Sequence, residues 1–238
     1  MKKIPILILL IAIIMLISIG VQAEQKFRVF LHFDDGYSGV YENAFPIMKE
    51  YGYTGTLFMP TDYIGHSRYV NLEQLREMKE WGWEIGSHTK SHADLDKVDG
   101  KTLLDELDGS RDYLVSSGLA LERDIILATP KTIWNDKISR TTEASYFAAR
   151  TTKVILFDTE YQPEQMEMVM LKDSLVESVE YRVRKAKEEK KWLLLIFHEV
   201  ADNGNKYYFP PAKLRHVMEI LKKYDAQVST VSEAIRDF

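Results

Sequence analysis

The chain alternates between short apolar runs and longer segments with apolar residues at helical spacing. The runs have the length of buried β-strands, and each periodic segment has one apolar face, which is typical of a helix packed on a sheet. Repeated about seven times along the chain, this alternation predicts parallel strands covered by helices. The predicted strands are Lys26–Phe33, Thr54–Met59, Trp83–Ile85, Asp124–Ala128, Trp192–Phe197 and Gln227–Val231. The predicted helices are Tyr41–Tyr51, Leu72 to about Gly82, Lys101–Ser117, Ser174–Lys191, Pro211–Tyr224 and a short one opening at Val231.

Two architectures fit this alternation, an open doubly wound sheet and a (β/α) barrel. Both place functional side chains at the carboxyl ends of the strands. Polar residues follow three of the predicted strands: Asp34 and Asp35 the first, His88 the third, and His198 the apolar run 192–197. Several strand ends that contribute to one site are typical of a barrel.

Residues 1–23 differ from the rest of the chain. Two lysines precede an apolar run at residues 4–21, and no acidic residue occurs before Glu24. A basic start, an apolar middle and a small residue such as Ala23 are the parts of a secretory signal. The run is also near the lower length limit for a membrane span, so a cleaved signal and a retained anchor both remain open. Either interpretation places the one predicted domain, residues 24–238, outside the cytoplasm.

The composition excludes several classes of function. The 238 residues include no cysteine, which excludes disulfides, thiolate metal sites and a cysteine nucleophile. Lys and Arg number 31 and Asp and Glu 36, for a formal charge of −5. Because nucleic-acid binding needs a basic face, this balance argues against nucleic acid as a partner. The pattern predicts no particular oligomeric state.

Three short motifs contain residues that bind metals or transfer protons. Asp34 and Asp35 are by themselves compatible with an Asp-rich turn. His88 and His92 are compatible with solvated loop histidines, and His198 with a core histidine. Together they predict a site of two histidines and one carboxylate, Asp35, with an open position as in catalytic metal centres. A helical turn would bring the two histidines, four residues apart, onto one face. Asp34 then remains as a base and His198 as an acid.

The donor set indicates which metal the site would take. Neutral imidazole together with carboxylate suits Zn²⁺, with Co²⁺ and Ni²⁺ as alternatives.

Three segments resemble motifs of the polysaccharide deacetylase family, which is carbohydrate esterase family 4 with the NodB-homology domain. They are residues 33–36, 88–92 and 195–199, and they occur in the family's order. With its flanking segments, the resemblance covers roughly residues 26–235. It implies a distorted, TIM-like (β/α) barrel of seven or eight strands. It also implies metal-dependent removal of acetyl groups from sugars, so that an acetylated carbohydrate is the expected substrate.

The resemblance assigns roles to five of these residues. Asp34 matches the family's general base and His198 its general acid. Asp35, His88 and His92 match the metal ligands.

The chain departs from the family at two motifs. The family's third motif carries an Arg before a Pro, which braces the catalytic Asp, whereas residues 128–131 read Ala-Thr-Pro-Lys. Arg150 is the candidate to supply the missing charge. The family's fourth motif is not evident, and Asp158 in that region lacks its surroundings. These departures affect the predictions of substrate identity and catalytic rate more than the prediction of the metal site.

Substrate contacts are predicted at Tyr37, Pro130 and Trp134, with Tyr207 and Tyr208 as further candidates, because loop aromatics offer faces for sugar rings. For each aromatic, ordinary packing is the alternative. A backbone N–H near Tyr37 is the candidate oxyanion donor. Two other functions remain open: a metal-dependent hydrolase of a non-sugar amide or an O-acetyl ester, and a non-catalytic glycan-binding relative.

Overall fold

The computed structural model describes residues 27–157, 166–172, 176–202 and 208–236. The predicted signal or anchor, residues 1–23, lies outside these ranges, as do Asp158 and Tyr207. Within the described ranges, no helix is both long and apolar enough to cross a membrane.

Eight strands form the main sheet. In chain order they are β1 (Arg28–Phe33), β2 (Thr56–Met59), β3 (Glu84–Ser87), β4 (Ile126–Ala128), β5 (Ala148–Arg150), β6 (Val154–Leu156), β7 (Met166–Met170) and β8 (Trp192–Phe197). Across the sheet their order is β6-β5-β4-β3-β2-β1-β8-β7. Neighbouring strands run parallel except β5 and β6, which pair antiparallel. Two short strands, β9 (Glu199–Val200) and β10 (Tyr208–Phe209), pair separately.

Helices follow most of the strands. In the described part of the chain they are α1 (Phe45–Tyr51), α2 (Leu72–Glu80), α3 (Gly100–Ser116), α4 (Asp136–Glu143), α5 (Val176–Glu188), α6 (Pro211–Lys223) and α7 (Val231–Ile235). A π-helical segment, Val40–Ala44, leads into α1, and short 3₁₀ turns occur at Thr61–Tyr63 and Pro130–Thr132. The predicted alternation of strands and helices is therefore present.

The sheet curls into a half-barrel. Four places separate β5 from β1 in the sheet, which corresponds to roughly 19 Å at the usual strand spacing of about 4.8 Å. Yet Nη2 of Arg150, at the end of β5, lies 2.7 Å from both carboxylate oxygens of Asp34, which follows β1. An arginine side chain does not span the distance a flat sheet would impose, so the sheet must curve. The predicted distorted (β/α) barrel is confirmed as an eight-stranded open barrel.

Two apolar clusters lie on opposite faces of the sheet. Phe30 on β1 belongs to the cluster inside the barrel, whereas its neighbours Leu31 and Phe33 pack in the outer layer against the helices. Because both faces are covered, all six residues of β8 are apolar and buried. The bounds of this strand are those that the sequence predicts.

Helix α7 closes the amino-terminal end of the barrel. Val231 and Ala234 belong to the interior cluster, together with Trp192 at the start of β8. Ser232 donates a hydrogen bond to Glu84 at the start of β3. This contact ties the last helix to the end of the sheet opposite the predicted site.

The strand predicted at Gln227–Val231 is wrong. The segment forms one parallel β-bridge, between Val228 and Val29, before α7 begins at Val231 as predicted. Thr230 caps α7 in a reciprocal capping box with Glu233. The β-branched residues of this segment favour a strand, but the cap at Thr230 starts a helix directly after the single bridge at Val228.

Candidate active site

Asp34 and Asp35 lie in a sharp turn at the carboxyl end of β1. The backbone N–H of Asp34 still pairs with the carbonyl of Phe197 on β8, at 2.9 Å. Asp35 and Gly36 then adopt left-handed φ values of 70° and 72°. Glycine adopts such a conformation without cost, and aspartate adopts it more readily than most other residues. A Cβ on Gly36 would lie 2.1 Å from Sδ of Met59, so a larger residue would be strained at this φ and would also displace the methionine side chain.

Asp34 and Arg150 form a buried ion pair. Their residues are only 5% and 1% exposed. Nη2 of Arg150 lies 2.7 Å from each carboxylate oxygen of Asp34. Burial by itself would raise the pKa of Asp34, but the charges of Arg150, His88 and His198 outweigh it, and the pKa lies below its usual value. The structure therefore places Arg150 where the sequence hypothesis needs a bracing charge.

Asp35, His88 and His92 form a compact cluster. Oδ1 of Asp35 lies 3.4 Å from Nε2 of His88 and 3.2 Å from Nε2 of His92. The three candidate ligand atoms all lie within 4.8 Å of one another. Burial opposes it, but the two neighbouring imidazoles hold the pKa of Asp35 far below its usual value.

The tautomer of His88 shows that the cluster suits a cation. Nδ1 of His88 lies 2.8 Å from the carbonyl oxygen of Ala128. Because a carbonyl only accepts, Nδ1 carries the hydrogen, and in the neutral ring Nε2 presents a lone pair to Asp35. A lone pair that faces a carboxylate oxygen is repulsive unless a proton or a metal cation lies between them. Two imidazoles and one carboxylate therefore fit a divalent metal, as the sequence predicts.

The helical turn predicted between His88 and His92 is wrong, although the two rings do meet. Their centroids lie 4.9 Å apart, but the intervening residues form an irregular loop. Thr89 and His92 have left-handed φ values of 66° and 62°, and Oγ1 of Thr89 accepts a hydrogen bond from the N–H of His92. The two histidine rings therefore meet through left-handed backbone angles in a loop, without a helical turn.

Glu106 on α3 braces the same loop, and sequence reasoning missed it. Its Oε2 accepts hydrogen bonds from the N–H groups of Lys90 and Ser91, at 3.1 and 2.9 Å. Its Oε1 accepts from the Ser91 hydroxyl at 2.6 Å. A glutamate among the buried residues of α3, beside Leu103 and Leu107, is the sequence signal that points to it.

The predicted acid, base and metal ligands open into one cleft of about 390 Å³. His198 enters it directly after β8. Thr129, Lys131, Thr132 and Met170 also line it, and none of them was predicted. Three of these four follow β4, at the position where the family's third motif is expected.

The three predicted substrate contacts differ in their placement. Tyr37 lines the cleft and stacks on Tyr69, with ring centroids 5.4 Å apart. Burial, followed by the charge of Asp35, raises the pKa of Tyr37 to about 12, so its hydroxyl stays protonated. Pro130 is buried and Trp134 packs against the outer core, and neither belongs to the cleft lining. For these two, substrate contact stays a prediction.

Comparison with known families agrees with this geometry. The family model described as "Polysaccharide deacetylase" matches residues 22–147, more than half of the chain. The chain belongs to the polysaccharide deacetylase family. The match includes β1 to β4 and the loop with both histidines, whereas Arg150 and His198 lie beyond it.

Two relatives of this deacetylase family share part of the sequence. YxkH of Bacillus subtilis (strain 168), named as a candidate polysaccharide deacetylase, is 35% identical over 98 residues, which is 37% of this chain and 35% of the relative. The poly-beta-1,6-N-acetyl-D-glucosamine N-deacetylase of Staphylococcus aureus (strain MSSA476) is 31% identical over 125 residues, 47% of this chain and 42% of the relative. The chain thus spans less than half the length of either relative.

A solved structure shares the fold over nearly the whole chain. It is the Xyl-CE4 domain of a multidomain xylanase from the hindgut metagenome of Trinervitermes trinervoides, at a TM-score of 0.63 and 20% identity. The likeness covers 90% of this chain and 91% of that domain. At this identity it supports the fold of the deacetylase family, and nothing finer.

Proposed function

We propose that the protein is a metal-dependent hydrolase that removes acetyl groups from N-acetylated sugars of a polysaccharide or glycoconjugate. The observation that carries this proposal is the buried Asp34–Arg150 pair beside the cluster of Asp35, His88 and His92. A protein that only bound a glycan through a metal would have no need for a second carboxylate, whose burial costs free energy.

Asp34 acts as the general base. Its lowered pKa keeps it ionised at neutral pH, so it accepts the proton of the water that attacks the acetyl carbon. Arg150 holds both oxygens of Asp34 and is a positioning residue, since its contact is with the base.

His198, which follows β8 and lines the same cleft, acts as the general acid. An amine is a poor leaving group unless it is protonated, so a proton donor is needed as the C–N bond breaks. His198 donates that proton to the sugar nitrogen, and acetate is the second product. Tyr37, at the rim of the same cleft, supplies a hydroxyl donor for the substrate.

Asp35, His88 and His92 are the residues that would hold the cation, and Zn²⁺ is the proposed ion, with Co²⁺ and Ni²⁺ as alternatives. Bound there, it would polarise the acetyl carbonyl and lower the pKa of water. The contact from His88 to Ala128 keeps Nε2 available as a ligand atom.

The substrate class is supported by the family and by the name of the staphylococcal relative, an N-deacetylase of a β-1,6-linked N-acetylglucosamine polymer. The test is acetate release from N-acetylglucosamine oligomers by the purified chain, metal-free and with Zn²⁺ or Co²⁺. Metal-dependent release that is lost in Asp34→Asn is the expected result. Tight metal binding without release, and with hydrolysis of acetyl esters or other amides instead, would contradict the sugar assignment.

The reaction is proposed to take place outside the cytoplasm. The support is the basic and apolar pattern of residues 1–23. Sequencing the N-terminus of the protein recovered from its source envelope tests this proposal. A start at Glu24 indicates a cleaved signal, an intact Met1 in the membrane fraction indicates an anchor, and recovery in the cytosol would contradict both.

A further inference from the structure

The π-helical segment, Val40–Ala44, lies between the turn that carries Asp34 and helix α1. The N–H of Phe45 bonds to the carbonyl of Val40, five residues earlier, so this turn holds one residue more than an α-helical turn. Such wide turns are rare and occur frequently at functional sites. Its position directly after the catalytic turn therefore calls for a functional explanation.

The π-helical segment contacts the backbone that follows His198. Nδ2 of Asn43 donates a partly buried hydrogen bond of 2.8 Å to the carbonyl oxygen of Val200. Gly39, which precedes the π-helical segment, packs against the same oxygen, since a Cβ at this position would lie 2.6 Å from it. A side chain at position 39 would therefore displace Val200 or the π-helical segment. Two residues near the catalytic turn thus meet at one distant carbonyl group.

His198 lies between two carbonyl groups that residues near β1 hold by hydrogen bonds. On one side, the carbonyl of Phe197 accepts from the N–H of Asp34 at 2.9 Å. On the other side, the carbonyl of Val200 accepts from Asn43. The side chain of His198 lines the cleft between these two points of attachment. The proposed acid is therefore fixed from both directions relative to the stretch of chain that carries the proposed base.

We propose that Asn43 is a positioning residue for His198: its amide holds the carbonyl of Val200, and with it the backbone from which His198 delivers a proton to the leaving group. The kinetic consequence rests on the proposed function. Without the amide donor, the backbone at Val200 gains freedom, and His198 is less often in place when the C–N bond breaks. The contacts of Asp34 and of the metal ligands are not changed.

The restraint is tested by amide hydrogen exchange on the full chain. The N–H of Ala201 pairs with the carbonyl of Phe209 at 3.2 Å and reports the opening of this backbone. We expect its exchange to become about fivefold faster in Asn43→Leu, which is the effect of losing one hydrogen bond. Glu42→Gln, a change at an exposed neighbour, is the matched control and should leave it unchanged. Unchanged exchange in Asn43→Leu would overturn the proposal, whether or not the protein releases acetate.

The kinetic consequence is tested with two substrates that differ in their need for an acid. N-acetylglucosamine oligomers release an amine, which must be protonated, whereas 4-nitrophenyl acetate releases a phenolate that departs without a proton. We expect Asn43→Leu to lower kcat about tenfold on the oligomers, with KM, metal affinity and turnover of the ester unchanged. Gly39→Ala crowds the same oxygen and should cause the same selective loss. This second variant decides the question if Asn43→Leu does not fold.

A purely structural role predicts a different pattern, in which the melting temperature falls and both substrates lose turnover equally. Equal losses on the two substrates, or undiminished turnover of the oligomers, would overturn the proposal. If the wild type releases no acetate from the oligomers, the proposed function fails, and the exchange of the Ala201 N–H still decides whether Asn43 holds this backbone.

Discussion

The carboxylates at the two ends of the barrel have opposite kinds of partner. At the amino-terminal end, Glu84 receives hydrogen bonds from the hydroxyls of Thr56 and Ser232. At the carboxyl end, Asp34 receives a charged partner, Arg150. Burial, only partly offset by the two hydroxyls, raises the pKa of Glu84 to about 7, whereas Arg150 helps to hold that of Asp34 below its usual value.

The difference shows that the type of partner decides what a buried acid can do. A carboxyl held by hydroxyls has a raised pKa, so it is neutral in mildly acidic solution, and it fastens α7 to the sheet. A carboxylate held by a guanidinium remains ionised and can accept a proton. The barrel thus has a closed amino-terminal end, covered by α7, and a reactive carboxyl end, where Asp34 lies.

Arg150→Met removes the charged partner of Asp34 and should have the largest effect on turnover. Because Asp34 then loses its charged partner in a buried position, we expect kcat to fall about 100-fold or more. Metal affinity, measured by calorimetry, should stay unchanged, since Arg150 is not a ligand. The control is Arg140→Met on the exposed part of α4. Normal turnover in Arg150→Met would contradict the assignment of Asp34 as a base that depends on Arg150.

Glu106→Ala probes the support of the metal cluster. It removes the carboxylate that accepts from the N–H groups of Lys90 and Ser91, so the loop between the two histidines loses this brace. We expect metal affinity to fall about tenfold, as is usual for supporting contacts of metal sites. Asp105→Ala, an exposed neighbour on α3, is the matched control. Equal affinities in the two variants would show that the loop holds its shape without Glu106.

Glu84 makes the closed end sensitive to pH. Its pKa is about 7 in the folded protein, against an ordinary value of 4.5, so the folded state binds the proton more tightly. Its contribution to stability is therefore complete below about pH 4.5 and is lost as the pH rises through 7, by at most about 3 kcal/mol. Urea unfolding of wild type and Glu84→Gln between pH 5 and 8 measures it. If the two stabilities stay parallel across this range, Glu84 does not titrate as described.

Ser229→Ala should have the smallest effect. Arg28 donates a long hydrogen bond of 3.4 Å to the Ser229 hydroxyl near the closed end. Removing it should lower the free energy of unfolding by about 0.5–1.5 kcal/mol, measured by urea titration, and leave turnover unchanged. A marked loss of turnover would show that the two ends of the barrel are coupled and do not act independently.

Much of the architecture could be predicted from local patterns. The apolar run of β8 and the strands that precede Asp34 and His88 are recognisable because parallel strands buried on both faces need continuous apolar residues. Elements with weaker patterns were not predicted. The strand β5 has three residues and ends in an arginine, β7 has methionine at alternate positions with a glutamate and a valine between them, and α4 is polar over much of its length.

The candidate site also has residues that local motifs predict and residues that only the fold brings into place. The identities of Asp34, Asp35, His88, His92 and His198 follow from their motifs, which are short and continuous in sequence. Their partners depend on the fold: Arg150 was a candidate only because the family's third motif lacks its Arg here, and Glu106 was not predicted. Arg150 is 116 positions from Asp34 and reaches it only because the sheet curls, and Glu106 meets the histidine loop only because α3 packs beside it.

The sequence by itself determined the alternation of the main strands and helices, the residue types of the cleft and the family resemblance, because these depend on residue type and short spacing. Tertiary structure alone decided the φ values of the histidine loop, the pairing of Arg150 with Asp34, and the placement of Pro130 and Trp134 outside the cleft lining. Those features depend on how far the sheet curves and on which loops meet at its end. Both are properties of contacts between residues distant in the chain, for which local pattern contains no signal.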